Sequence, residues 1–252
     1  MPEPHPDPER PDPKRRHEVL RQSLSVGVAS GSYAISFGAL SVAAGLDLWQ
    51  TIALSTLLFT GGSQFALVGI LTAGGSGAAA VATSTLLGVR NGFYGLQMSR
   101  VLGVSGLRRL AAAHLTIDES TAVGIAQHER AAQRLGFWAT GLSVFVFWNL
   151  MTIVGAVVGN TLGDPKRFGL DAAAPAAFCA LLWPRLRSRD TRAVAAAGAV
   201  IALVVAPHAP AGIPVLVAAL AAVVAGLLPS RTARGADSSG DLSAVPDEET
   251  PG

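Results

Sequence analysis

The chain has 252 residues, of which 50% are hydrophobic and only 14% charged, with 28 glycines and a net charge of +2; an ordinary soluble domain carries about 25% charged residues. Seventeen of its 36 charges (19 basic plus 17 acidic) fall in residues 1–21 and 231–252, and between Gln22 and Ser99 the only charges are Asp47 and Arg90. A soluble protein of this size has to expose polar residues throughout, so a water-soluble globule is excluded and a lipid bilayer is the fitting solvent; arginines in short clusters between apolar runs give no nucleic-acid face.

Residues 1–21 hold six prolines and ten charges, which reads as a disordered cytoplasmic tail and not as a signal peptide. Only helices and closed barrels cross a bilayer, and long Ala/Leu/Val/Gly runs replace the short alternating strands of a barrel. The expectation is an all-α polytopic helical bundle over residues 22–229, with about seven or eight transmembrane segments, some broken or re-entrant, and a second disordered tail at 230–252. In chain order the apolar segments are 23–46, 49–73, 76–100, 107–127, 137–163, 169–185, 192–207 and 211–229. Eight crossings place both termini and the clusters Lys14 to Arg21, Arg130 with Arg134, Arg185 to Arg192 and Arg231 with Arg234 in the cytoplasm. Arg100, Arg108, Arg109, Lys166 and Arg167 then lie outside, against the positive-inside rule. If 107–127 does not cross, the two ends fall on opposite sides; eight crossings are preferred. Trp148, away from any segment end, is expected inside the bundle. Phe37-Gly38-Ala39-Leu40 is echoed by Val154-Gly155-Ala156-Val157, and Gly45-Leu46-Asp47 by Gly169-Leu170-Asp171, either as a trace of duplication or by chance between Gly/Ala-rich spans.

Polar groups at bilayer depth are costly and mark interiors or pathways. The second segment carries Gly61, Gly62, Ser63 and Gln64 near its middle. Two adjacent glycines disfavour a continuous helix, and a broken helix presents bare N–H groups that hold a substrate carboxylate; close helix packing with Gln64 as an interhelical donor is an equal reading. The third has Gly88-Val89-Arg90-Asn91-Gly92-Phe93-Tyr94-Gly95, whose glycines offer a flat face, while Arg90 lies too deep for a terminal anchor and is expected to meet a carboxylate or an anionic substrate group, unless it snorkels. In the fourth, His114 and Asp118 fall four apart on one helical face, with Glu119 beside them. Two adjacent carboxylates in a low-dielectric setting are costly as a pair of anions, which suits a proton-coupling site; the alternative is that Asp118 and Glu119 merely start a helix. His114 and Asp118 are too few for a metal site, no phosphate-binding lysine motif is present, and no cofactor is expected.

These strings occur in an order that resembles the AzlC family: Phe37-Gly38, then Gly62-Ser63-Gln64-Phe65-Ala66, Arg90 with Tyr94-Gly95, Thr116 with Asp118-Glu119, and Gly169-Leu170-Asp171 with Pro175-Ala176, over about residues 22–229. The sequence departs from the family's pattern at Ser36, Gly88, Asn91 and Ile117. The resemblance implies a secondary transporter that moves branched-chain or similar apolar amino acids, usually outward, with a small membrane subunit of the AzlD type, and no enzymatic activity. A zwitterionic substrate needs a positive site, a negative site and an apolar pocket. Gly61, Gly62, Ser63, Gln64, Asn91 and Tyr94 are therefore assigned to substrate binding, and Arg90, His114, Asp118 and Glu119 to coupling or ion pairing. A non-transporting assembly or sensor subunit, and an intramembrane enzyme using His114, Asp118 and Glu119, stay open as alternatives.

Overall fold

The computed structural model describes residues 11–162 and 186–227, together with Ala176, Cys179, Leu182 and Trp183; both outer tails beyond these and most of the expected 169–185 segment lie outside the described residues. Among the described residues all regular structure is helical, and three helices are long and apolar enough to cross a membrane: Pro13–Ala43, Arg130–Thr161 and Arg189–His208.

The scaffold is a pair of helices, α1 (Pro13–Ala43) and α7 (Arg130–Leu162). α1 begins well before the expected end of the tail at residue 21. The last of the tail's prolines, Pro13, occupies the first turn, where a missing N–H is harmless, and Arg15 and Glu18 form an exposed ion pair at 3.2 Å. The two helices run parallel, because higher numbers on one meet higher numbers on the other. Thr140 Oγ1 donates to Ser23 Oγ at 2.8 Å, Gly31 abuts Phe147, Gly38 abuts Thr152 and Ala156, and Gly159 abuts Ala39 and Val42. The approach is close enough that a Cβ on Gly38 would sit 2.7 Å from the Ala156 nitrogen, and one on Gly31 2.7 Å from the Phe147 Cβ. Helices in lipid gain packing where small residues let backbones approach. The echoed strings around Gly38 and Gly155 lie side by side in this contact, while Gly169-Leu170-Asp171 lies outside the described residues.

The segment expected at 49–73 is two helices, α2 (Leu48–Leu57) and α3 (Gly61–Thr72), separated at Leu58–Thr60. Asp47 caps α2 through a reciprocal pair of hydrogen bonds with Gln50. Going down α2, Ser55 Oγ donates to Thr152 Oγ1 at 3.3 Å, and Phe59 then packs edge-on against Phe145, an earlier level of α7, at 5.0 Å. Past the break the chain climbs again: Gly61 abuts Trp148 and Phe65 packs on Phe37 at 5.7 Å. α2 and α3 therefore form a re-entrant hairpin that returns to the end it came from. α4 (Gly77–Leu102) then descends antiparallel to α3, with Ser63 Oγ donating to Ser84 O at 2.8 Å. It finishes level with the start of α7, where Arg134 Nε donates to Val101 O at 3.0 Å.

The segment expected at 107–127 is a second hairpin entering from the other end. α5 (Gly106–His114) climbs until the His114 ring stands 5.6 Å from Phe145, and α6 (Asp118–Ile125) descends past Gly136, which abuts Val123, to Gln127, whose carbonyl accepts from Gln133 Nε2 at 2.9 Å. The preferred eight crossings counted 49–73 and 107–127 as spans; in the structure each is a hairpin of two short helices whose two ends lie at one end of the bundle, the re-entrant arrangement that the sequence allowed for some segments. Their apolar length was sufficient to span, but each chain reversal is fixed at mid-depth by side chains that satisfy the interrupted backbone. Arg100, Arg108 and Arg109 consequently share one end of the bundle with Lys14, Arg15, Arg16, Arg21, Arg130 and Arg134, and for them the conflict with the positive-inside rule disappears. Beyond the undescribed stretch, α8 (Arg189–Val205), a 3-10 turn at Ala206–His208 and α9 (Ile213–Leu227) form a hairpin. Its turn touches the opposite end of the bundle, Ala211 and Gly212 meeting Gly75 and Ala79.

In a Cys179→Ser background, Val104→Cys and His128→Cys are expected to react with a membrane-impermeant thiol reagent from one side of the membrane, and Ala44→Cys and Ala73→Cys from the other. Labelling of positions 104 and 128 from opposite sides would show that 107–127 crosses.

Candidate functional site

The tips of the two hairpins meet at the centre of the bundle. From one side come Leu58–Thr60, from the other Leu115–Ile117, and the rings of Phe59 and His114 lie 5.8 Å apart. Backbone groups left open by such breaks have to be paired within the protein at this depth. At the first tip Gln64, fully buried, does most of this: its Nε2 donates to Leu58 O at 2.9 Å and Ser55 O at 3.2 Å, with Leu54 O at 3.5 Å, and its Oε1 accepts from Trp148 Nε1 at 2.8 Å. At the second, Ser120 Oγ donates to Leu115 O at 2.7 Å and accepts from the Ile117 N–H at 3.1 Å, while Thr116 Oγ1 donates to Ala112 O at 2.7 Å. Tyr33, Phe37, Phe65 and Trp148 pack as an aromatic cluster that holds α3 to the scaffold.

Charge collects on one side of the tips. Arg90 Nη1 lies 2.9 Å from Asp118 Oδ2, with both side chains only partly exposed, at 26% and 21%. The Arg90 guanidinium also lies against Gly62 in the first turn of α3, where a Cβ would come within 3.1 Å of Nη2. Glu119 Oε1 accepts from Ser30 Oγ of α1 at 3.3 Å, and Tyr33 is within electrostatic reach of Arg90, Asp118 and Glu119. On the other side is a cleft of about 460 Å³ lined by Leu57 to Thr60, by Ala113, His114 and Thr116, and by the face of α4 that carries Gly88, Asn91 and Gly92. Asn91 Oδ1 is buried there with no hydrogen-bond partner among the described residues. Cleft and ion pair are thus joined by both tips, which show Thr60 and Thr116 to one and, two residues on, Gly62 and Asp118 to the other.

Several expectations are met by the geometry and several are corrected. The second segment is interrupted beside Gly61 as anticipated, Arg90 meets a carboxylate, and Trp148 is buried at 2% exposure. Ser63 and Gln64, assigned to substrate, have their side chains engaged within the protein, Ser63 by Ser84 O and Gln64 by the carbonyls at the break and by Trp148. His114 and Asp118 do not share a helical face, because the helix stops at His114 and restarts at Asp118; His114 lines the cleft and Asp118 the ion pair. Tyr94 is half-buried on α4 one turn beyond Arg90. Ser30, Tyr33 and Phe59 were not singled out from sequence. The only hint for Ser30 is that it follows Ser23 by seven residues, which puts both hydroxyls on the face of α1 turned inward.

Compared with known protein families, residues 25–162 match the family described as AzlC protein, more than half of the chain and all of both hairpins. The chain belongs to the AzlC family. No curated protein and no solved structure matches it. AzlC proteins are a membrane transporter family associated with branched-chain amino acids, and in this member the matched region carries α1 from residue 25 onward, both re-entrant tips and α7.

Removing one partner of a partly buried ion pair strands the other, so Arg90→Gln and Asp118→Asn are each expected to destabilise the detergent-solubilised protein by about 2 kcal/mol. The double variant should recover much of that loss in a thermal unfolding series. Strictly additive effects would show that the pair is not coupled.

Proposed function

We propose that this protein is a secondary transporter of branched-chain or similar apolar amino acids, working outward across the bacterial inner membrane with a small AzlD-type subunit. The observation that carries the reading is the meeting of two opposed re-entrant tips at the Arg90–Asp118 pair. Irregular backbone at membrane depth occurs where it lines a cavity or is buried in protein, and transporters place substrate at such half-helix ends near the midplane. The first turn of α3 at Gly61 and Gly62, with Arg90 beside it, suits a carboxylate. Asp118 and Glu119 supply negative charge for an ammonium group or a coupling proton. An apolar side chain enters the cleft against Phe59 and Val89, with Asn91 and His114 among its polar wall. The partner and the outward direction rest on the family resemblance alone. A cytoplasmic position for both termini is supported by the arginine-rich end of the bundle.

Cells or proteoliposomes carrying the protein, loaded with labelled valine, leucine, isoleucine and methionine, are expected to release at least one of them faster than controls, and faster still with the small subunit present. Equal release of all four with and without the protein would remove this substrate class.

A further inference from the structure

The two adjacent carboxylates of α6 are not equivalent. Asp118 is held by a cation, Arg90 Nη1 at 2.9 Å. Glu119 has no such partner within ion-pair distance among the described residues; it turns away to α1, where it accepts a hydrogen bond from the Ser30 hydroxyl at 3.3 Å, and its carboxyl is also reached by its own residue's backbone N–H. The groups around it are few. α1 contributes Ser30 and Tyr33, α4 contributes Arg90 at longer range, and α6 contributes Asp118. α3 has no titratable side chain, and neither has α7 between Leu135 and Leu162. His114 of α5 faces Phe59 and Phe145 instead.

We propose that Glu119, and not Asp118, carries the coupling proton, with Ser30 as its positioning residue. The assignment rests on the transporter reading given above. The Asp118 carboxylate is the counter-ion of the Arg90 guanidinium, a partly buried cation that needs one. Glu119, which faces the Ser30 hydroxyl and forms no ion pair among the described residues, has no such obligation to a cation. Glu119 takes a proton from water on one side to become a neutral acid and releases it to water on the other side, returning to the carboxylate. Its position gives that event a mechanical reach: the Ser30 contact joins the second hairpin to the α1–α7 scaffold, and a hydroxyl that donates to the carboxylate has to reorganise when the carboxyl becomes a donor itself.

The test compares Glu119→Gln, Asp118→Asn and Ser30→Ala in proteoliposomes, for amino-acid counterflow and for its acceleration by a pH gradient. Glu119→Gln should lose the acceleration by the gradient, so that any counterflow it retains is the same with and without the gradient, and Glu119→Asp should restore part of the response. Asp118→Asn should lose about tenfold or more of its transport while the remainder still responds. Ser30→Ala should displace the pH profile without abolishing the response. A gradient response kept by Glu119→Gln, or lost by Asp118→Asn, overturns the assignment. Should the wild-type protein move none of the amino acids, the transport reading fails, and infrared titration of the purified protein decides the proton site separately. A hydrogen-bonded carboxylic-acid band that titrates with pH should vanish in Glu119→Gln and persist in Asp118→Asn. Its absence from the wild type, or its survival in Glu119→Gln, contradicts the proposal.

Discussion

The centre of this protein depends on one requirement of the hydrocarbon interior, that a helix interrupted at mid-depth keeps every backbone donor and acceptor paired. Gln64 meets it at the first tip with a single amide that reaches three carbonyls around the end of α2 and anchors itself on Trp148. Ser120 and Thr116 meet it at the second with short local hydrogen bonds. Once these side chains close the ends, the chain is free to reverse, and the bare first turns of α3 and α6 are brought to Arg90 from opposite directions. The ion pair and the cleft exist because the reversals do.

A rigid frame is the second condition. α1 and α7 lie side by side through glycines at successive turns, and the contacts at Gly31, Gly38, Gly155 and Gly159 leave no room for even a methyl group without displacing a neighbour. Against this frame the hairpin α2–α3 followed by α4, and the hairpin α5–α6 followed by α7, repeat one device in opposite orientations. Opposed units of this kind around a central site are the geometry in which one half rocks against the other. Glu119 touches the frame from the second hairpin, through Ser30, at the point where such motion would be felt.

Much of this was legible in the sequence. The all-helical membrane bundle follows from charge distribution, the first break from Gly61-Gly62, and the special standing of Arg90, Asp118 and Glu119 from their depth. Which segments reverse was not legible, since hydropathy measures apolar length and 25 residues at 49–73 are enough to span. Direction is set by where Gln64 reaches, a tertiary fact. One signal did point the right way: Arg100, Arg108 and Arg109 violated the positive-inside rule under eight crossings, and re-entrance removes the violation. The second break hid better, because Leu115-Thr116-Ile117 contains no glycine or proline and two of its residues are β-branched, a preference weak enough for tertiary structure to override. Ser30 and Tyr33 were hidden among other hydroxyls of α1, with nothing local to distinguish them until α6 is packed alongside.

The central claim is that the two tips meet. Its most direct measurement is cross-linking of Phe59→Cys with His114→Cys in a Cys179→Ser background, by oxidation or a short bifunctional thiol reagent, in native membranes. The rings at these positions lie 5.8 Å apart, so rapid intramolecular cross-linking is expected, with transport arrested until reduction. Failure to cross-link, with each thiol instead reacting independently as a residue of a separate continuous span, would contradict the account.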